Sequence, residues 1–323
     1  MPCLETPRRA PALEAPAITS PGIHRIVRRP ARGRSKKGTR ILCEAPESTP
    51  QRVALRPVVR DPEHKLMAPS VSHKSSTRAL PGTLLGTAGW SVPRDLQAHF
   101  PDEGTTLERY SRRFPAVEIN STFYRPHRAS TYERWRTSVP STFRFAIKIP
   151  KTITHGQRLV DSIGLLDTFL GESAALGPKL GCLLVQLPPS LQFDDATASA
   201  FFAALRERTS AGVACEPRHA SWFEPAVDAR LAESQIARVA ADPARVPLAA
   251  VPSGWMGMRY YRLHGSPRIY YSSYEPYYLQ ALAADIASAA TARRRVWCIF
   301  DSTVLGAAAT NALAIDTLLR QAR

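Results

Sequence analysis

The chain has 323 residues, 44% hydrophobic and 22% charged, enough to bury a sizeable core and too many for a small disulfide-stapled module. Its 43 basic and 27 acidic residues give a formal charge of +16, which raises the question of a polyanionic partner. Cys3, Cys43, Cys182, Cys215 and Cys298 form no CxxC pair, no run approaches the ~18 apolar residues of a membrane helix, and Pro2, Pro7, Pro11 and Pro16 break up any secretory signal. Zinc ribbons, disulfide scaffolds and membrane spans are excluded, and the expectation is a cytoplasmic protein with no membrane partner.

Residues 1–82 carry 16 Lys and Arg against 6 Asp and Glu, 12 of the 28 prolines, and no Phe, Trp or Tyr. Such a segment cannot offset its chain entropy by apolar burial and reads as a disordered basic extension. Its run from Arg25 to Arg40 is either a solvated tail or an arm that holds phosphates by counterion release; Met67 is an alternative start of translation. The remaining 241 residues hold a net charge of only +6, so the overall charge says little about the folded part.

From Thr83 onward, short apolar runs alternate with longer amphipathic stretches, the pattern of βα units on a parallel sheet. Strands are expected at Thr83–Ala88, Ala116–Asn120, Phe143–Ile149, Cys182–Leu187, Gly212–Glu216, Ala237–Ala241, Met258–His264 and Arg295–Asp301. Helices are expected where Leu159, Ile163, Leu166 and Phe169 or Leu170 share a face, where Phe201, Phe202 and Leu205 follow Asp194 and Asp195, and where Leu305, Leu313, Ile315 and Leu319 end the chain. Asp242 to Gly257, with Pro243, Pro247 and Pro252, reads as a loop. Eight strands in about 240 residues match an α/β fold of the single (β/α)8 TIM-barrel type over residues 83–323, with an open doubly wound sheet as the alternative.

Strand parity then selects candidate site residues. The outer face of a barrel must be apolar to meet its helices. With Val117, Ile119, Phe143, Phe145, Ile147, Leu183, Val185, Leu187, Tyr261 and Leu263 outside, parity turns Glu118, Asn120, Arg144, Lys148, Gln186, Glu216, Tyr260, Arg262, His264 and Asp301 inward. Six strands thus carry an inward polar side chain at or near the C-terminal end, where barrel enzymes keep their active sites. The alternative is a buried ion network pairing Glu216 with Arg262 and Glu118 with Lys148. Lys148 stands out because residues 83–323 contain only 3 lysines against 24 arginines. Loops add His155, a proton carrier or a helix cap; Arg218, an anion clamp or a partner of Glu224; His219; and Trp222, a stacking surface or core packing. Gly86, Gly89 and Gly265 suit tight turns, and Tyr270, Tyr271, Tyr274, Tyr277 and Tyr278 suit a lid or stacking wall.

Read together, Gly86-Thr87-Ala88-Gly89-Trp90, Val117-Glu118-Ile119-Asn120-Ser121-Thr122-Phe123-Tyr124, Phe143 to Lys148 with Thr154-His155, Leu184-Val185-Gln186-Leu187-Pro188-Pro189, and Glu216-Pro217-Arg218-His219 with Ser221-Trp222 resemble the successive motifs of the DUF72 (YecE-like) family. The resemblance runs on through His264-Gly265, Phe300-Asp301-Ser302-Thr303 and Asn311-Ala312. It implies a TIM-type barrel and no established reaction. Ala88 stands where the family pattern leads one to expect Ser, and Ser302 where it leads one to expect Asn.

Phosphate-cradling, zincin and elbow-serine signatures are absent from the sequence. The residues therefore point to acid/base chemistry on an anionic, phosphate- or carboxylate-bearing ligand, with Glu118, Lys148, Glu216, His264 and Asp301 as catalytic candidates. Asn120, Tyr124, His155, Gln186, Arg218, His219, Trp222 and Arg262 are the substrate-binding candidates. One alternative is a metal-dependent hydrolase with Glu118, Glu216, His264 and Asp301 as ligands; another is a binder of nucleic acid or another polyanion without catalysis. The cofactor and the oligomeric state have no signature.

Overall fold

The computed structural model describes residues 80–291 and 294–322; the expected disordered extension, residues 1–82, lies outside the described residues except for its last three. The strands are β1 (Thr83–Thr87), β2 (Ala116–Ile119), β3 (Arg144–Lys148), β4 (Leu180–Gln186), β5 (Gly212–Glu216), β6 (Ile236–Arg238), β7 (Ala240–Asp242), β8 (Ser253–Gly254), β9 (Met258–Leu263) and β10 (Arg295–Phe300). Between and after them lie α1 (Thr106–Ser111), α2 (Ala129–Thr137), α3 (Ile163–Ser173), α4 (Asp195–Arg208), α5 (Pro225–Glu233), α6 (Pro276–Ala289) and α7 (Ala307–Gln321). This is an α/β fold of parallel sheets.

One sheet has the order β1-β10-β9-β7 and the other β2-β3-β4-β5-β6-β8. Every pairing is parallel except that of the two-residue β8 with β6. All eight expected strands are present, but the sixth divides at Val239: β6 pairs with β5, and β7 pairs with β9. A single parallel bridge from Ala88 to Glu118 joins the end of β1 to β2.

Alternation along the strands sorts the apolar residues into two clusters. Val117, Phe145, Ile147, Leu183, Val185, Tyr261 and Leu263 pack with the helices in the larger one. Leu84, Ala116, Ala146, Leu184, Ala214, Ala237, Tyr260, Trp297 and Ile299, drawn from strands of both sheets, form a second, smaller cluster on the opposite face. Tyr260 and Trp297 stack there with ring centroids 5.8 Å apart. Small residues on this face leave room for the two large rings, and Gly181 is one of them: a Cβ there would press on the Trp297 ring.

Three local expectations are corrected. The α3 stripe is shorter than its sequence period suggests, because Arg158, Leu159 and Asp161 turn through positive φ before the helix begins. Ile163 is therefore half exposed at the first turn, and Leu166 and Phe169 hold the buried stripe. Leu305 precedes α7, which starts after Gly306 at φ 80°, and points into solvent. Gly86 makes no turn; it lies within β1, where the backbone of β2 comes so close that a Cβ would collide with the Ala116 carbonyl. By contrast, α4 starts as the sequence predicts, with the Asp194 carboxylate accepting the Thr197 N–H at 2.8 Å, and residues 242–257 contain no α-helix.

The close approach at Gly86 sets an expectation. Gly86→Ala pushes β1 from β2 and lowers stability by about 1–3 kcal/mol, as overpacking does; urea unfolding of the purified variant measures it, and a loss below a few tenths of a kcal/mol contradicts the tight contact.

Candidate functional site

At the C-terminal ends of the strands the side chains on the face of the smaller cluster become polar, and they are buried. Glu118 on β2, Lys148 on β3, Gln186 on β4, Glu216 on β5, Arg262 on β9, and His264 and Asp301 just past β9 and β10 are all at most 6% exposed. Charged groups buried this deeply persist only when paired and hydrogen-bonded, and Arg262 supplies most of the pairing. Its Nε donates to both Glu118 carboxylate oxygens at 3.1 Å and its Nη2 to Oε1 at 2.7 Å. Nη1 donates to Glu216 Oε2 at 3.2 Å, and Nη2 lies 2.9 Å from Asp301 Oδ2. One guanidinium thereby ties three strands together. The Tyr260 hydroxyl completes the Glu118 environment, donating at 2.7 Å.

His264 stands between the other two carboxylates. Its Nε2 is 3.1 Å from Glu216 Oε1 and its Nδ1 3.1 Å from Asp301 Oδ2. A carboxylate on each ring nitrogen favours the imidazolium form, in which both nitrogens donate, while Arg262 Nη1, 3.4 Å from Nε2, opposes it. Burial and the charge of Arg262 push His264 down, but Glu216 and the hydrogen bonds with Asp301 and Glu216 outweigh them and hold the ring above its ordinary value. Glu216 also accepts from Gln186 Nε2 at 2.8 Å and from Arg218 Nη2 at 3.1 Å. Against the cost of burial, Arg262, His264 and Arg218 keep this carboxyl well below the usual carboxylate range. Asp301 is likewise held low by Arg262 and His264 despite its burial, and the Asn120 amide reaches its Oδ1 at 3.4 Å.

Lys148 is the exception. The pairing of Glu118 with Lys148 is corrected: Glu118 is taken by Arg262 and Tyr260, because the guanidinium fork matches both carboxylate oxygens at once. Among the described residues the Lys148 amine forms no ion pair; it lies 3.8 Å from the centroid of the Phe123 ring. Burial pushes the ammonium down to about 8, and the adjacent Arg262 adds to that push against the weaker pull of Glu118, Glu216 and Asp301. His155 packs edge-on against the same Phe123 ring, centroids 5.0 Å apart, and its Nδ1 meets the Thr154 hydroxyl at 2.9 Å. Burial, Lys148 and Arg218 all lower His155, so the neutral imidazole is favoured.

The remaining candidates divide. Arg218 pairs with Glu216 instead of Glu224, which puts it at the edge of the network. Tyr124 projects outward at 70% exposure beside Phe123. His219 and Trp222 are not brought to the site. The His219 ring caps its own turn, with Nδ1 accepting from the Ser221 N–H, and Trp222 is buried in the core with its Nε1 on the Leu191 carbonyl at 2.9 Å. The tyrosine-rich loop splits as well: Tyr274 and Tyr278 stack in the interior, whereas Tyr270 approaches the His264 ring from outside.

A cleft of about 460 Å³ opens beside the network, lined by Glu216, Arg218, Arg245, His264, Ile269 and Tyr270 among others. Arg245 is a residue that sequence reasoning missed. It lies in a proline-rich loop after the sixth strand, where neither period nor parity applies, and nothing marks it apart from the other arginines. The four residues weighed as metal ligands do not share a vacant centre, because Arg262 occupies the space between Glu118, Glu216 and Asp301; among the described residues no three His, Cys, Asp or Glu side chains are placed to hold one ion. That donor set does not fit a resident metal.

Two stability expectations follow from these contacts. Arg262→Met strands three buried carboxylates and costs at least about 3 kcal/mol, read by denaturant unfolding. Lys148→Met has the opposite sign: at pH 7 the wild type bears the cost of a buried ammonium whose folded value lies below its unfolded one, so removal stabilises by at most about 3 kcal/mol. As pH rises through 8 towards the unfolded value, the folded wild type sheds its proton first and the advantage of the variant shrinks. A variant less stable than wild type at pH 7 contradicts this assignment.

No helix among the described residues is long and apolar enough to cross a membrane. Comparison with known proteins gives a consistent family. Residues 84–323 match the family model described as "Protein of unknown function DUF72". Curated relatives include the UPF0759 protein YecE of Escherichia coli K12, 35% identical over 104 residues, 32% of this chain and 37% of that protein. The UPF0759 protein YunF of Bacillus subtilis is 28% identical over 152 residues, 44% of this chain and 52% of that protein. The aligned stretches thus span about a third to a half of these relatives. Crystal structures of DUF72 family proteins from Enterococcus faecalis and Thermotoga maritima superpose with TM-scores of 0.63 and 0.61. Each is 22% identical and covers 74% of this chain, and 95% and 99% of the other, respectively, which shows a shared fold. With its strand-end polar residues lying inside the matched region, the chain belongs to the DUF72 family.

Proposed function

We propose that the two sheets close into a single (β/α)8 barrel and that its C-terminal mouth is the active site of an enzyme performing acid/base chemistry on an anionic, phosphate- or carboxylate-bearing substrate. Closure is supported by the Ala88–Glu118 bridge between β1 and β2 and by Val239, across which one continuous chain passes from the sheet of β5 to that of β9. The inner apolar cluster, fed by strands of both sheets, is what a filled barrel interior requires.

The observation that carries the chemical reading is the cleft beside His264. There an imidazole favoured as its cation lines the cleft, together with the guanidinium-bearing Arg218 and Arg245. The two guanidiniums hold the anion, and His264 acts as general acid by releasing the Nε2 proton that it shares with Glu216. Glu216 and Asp301 keep the ring charged and oriented. Glu216, saturated by four donors, is a poor proton acceptor and serves as a positioning residue. Glu118 positions Arg262 in the same sense, and Lys148 supplies an amine without an ion pair against the Phe123 ring.

A second reading, polyanion binding without catalysis, is favoured by the exposed rim cations Arg125, Arg128, Lys151, Arg245 and Arg268, none of which forms an ion pair among the described residues. Calorimetric titration of the full chain with inorganic phosphate separates the two. Saturable binding, weakened about tenfold, or 1.4 kcal/mol, by Arg218→Gln or Arg245→Gln, supports the enzyme site. Phosphate binding indifferent to both substitutions overturns it, and tight oligonucleotide binding with a steep salt slope favours the polyanion reading.

A further inference from the structure

We propose that Lys148 is a covalent nucleophile that forms an imine with a substrate aldehyde or ketone bearing a carboxylate or phosphate, a step that deepens the reading of the site as an anion-handling enzyme and rests on it. The argument begins with the balance of charge. Three buried carboxylates, Glu118, Glu216 and Asp301, are engaged by three cationic groups, Arg262, His264 and Arg218. Lys148 is a fourth. Its amine has no carboxylate to itself, yet it is 5% exposed and held on a β-strand end. A structural lysine would be expected to carry its own counter-ion or to reach solvent along its stem.

The surroundings provide what imine formation needs. A nucleophilic lysine requires a fraction of free amine at neutral pH, and desolvation beside another cation is the established way to produce it; burial and Arg262 do this to Lys148, bringing it to about 8. The backbone at that point is fixed, because the Thr122 hydroxyl donates to the Lys148 carbonyl at 2.6 Å. Phe123 lies against the amine and against His155 at once, so a proton acceptor shares the same wall.

The step balances as follows. The Lys148 nitrogen lone pair attacks the carbonyl carbon, the C–O π pair moves to oxygen, and the ammonium proton lost from nitrogen passes through neutral His155 to that oxygen. The carbinolamine then expels its oxygen as water, taking up a second proton from solvent, and leaves an iminium at Nζ. Hydrolysis reverses the sequence and restores the amine. No oxidant, reductant or metal is consumed.

Reductive trapping tests this directly. The full chain is treated with glyoxylate and cyanoborohydride and the labelled lysines are mapped by peptide mass spectrometry. We expect Lys148 to be labelled at least tenfold faster than exposed Lys151, with a half-maximal rate near pH 8, and the label at this position to be lost in Lys148→Met while Lys151 labelling persists. Excess phosphate should slow labelling of Lys148 and not of Lys151. Labelling of Lys148 no faster than Lys151, or a rate that rises only near the ordinary lysine value, overturns the proposal. If Lys148 is inert while phosphate still binds through Arg218 and Arg245, the imine step fails and the anion site stands; if neither occurs, both fall.

Discussion

The Arg262 guanidinium is the group on which the rest of the site depends. It lies 1% exposed and is held protonated, against the cost of its own burial, by Asp301, Glu118 and Glu216. Those carboxylates lie on or just past three different strands, so the ion cluster acts as a cross-strand tie at the end where the smaller apolar cluster stops. A cluster of this kind adds little net stability when complete, yet removing one member is costly, because the others are left as uncompensated buried charge. The consequence is a rigid arrangement: each carboxylate is aimed by several donors, and the imidazole between two of them has little freedom to turn.

Rigidity of the paired groups defines what is left unpaired. Once Arg262, His264 and Arg218 have engaged the carboxylates, an additional cation in the same pocket gains little Coulomb energy while bearing the full cost of desolvation. That is the situation of Lys148, and it explains why its proton is held loosely whereas that of Arg262 is not. The contrast also rests on chemistry: a guanidinium stays charged in such surroundings, while an ammonium can shed its proton. The presence of lysine at this strand end, in a region with 3 lysines against 24 arginines, acquires a physical reason. A buried, underpaired amine is a cost to folding, and such costs collect at functional sites.

Much of this was legible in the sequence, because a period of two fixes the face on which a strand residue lies. Parity alone placed Glu118, Lys148, Gln186, Glu216, Arg262, His264 and Asp301 on a common side, and all are buried there. Parity says nothing about reach. Whether Glu118 meets Lys148 or Arg262 depends on the stagger of β2 against β9, strands that belong to different sheets and lie far apart in the chain, and no local pattern encodes that. The loops were less legible still. Trp222 and His219 follow β5 and carry attractive chemistry, but their partners, the Leu191 carbonyl and the Ser221 amide, turn them to packing and capping. Arg245, which does line the cleft, sits in a segment without periodicity.

The division between strand and loop follows the division between the buried network and the cleft. Groups that must be held at fixed distances, namely the carboxylates, Arg262 and His264, lie on or directly beside strand ends, where backbone pairing fixes their origin. The cleft beside them is lined largely from loops: Arg218 half in the network and half in the cleft, Arg245 exposed, Tyr270 against the outer edge of His264. Arg218 belongs to both sets. It donates to Glu216 and also lines the cleft, so an anion bound there would draw the guanidinium away from Glu216 or share it. Either change alters the field at His264, because Glu216 lies 3.1 Å from its Nε2 and raises its proton affinity, so on the proposed reading anion binding is coupled to the state of that ring.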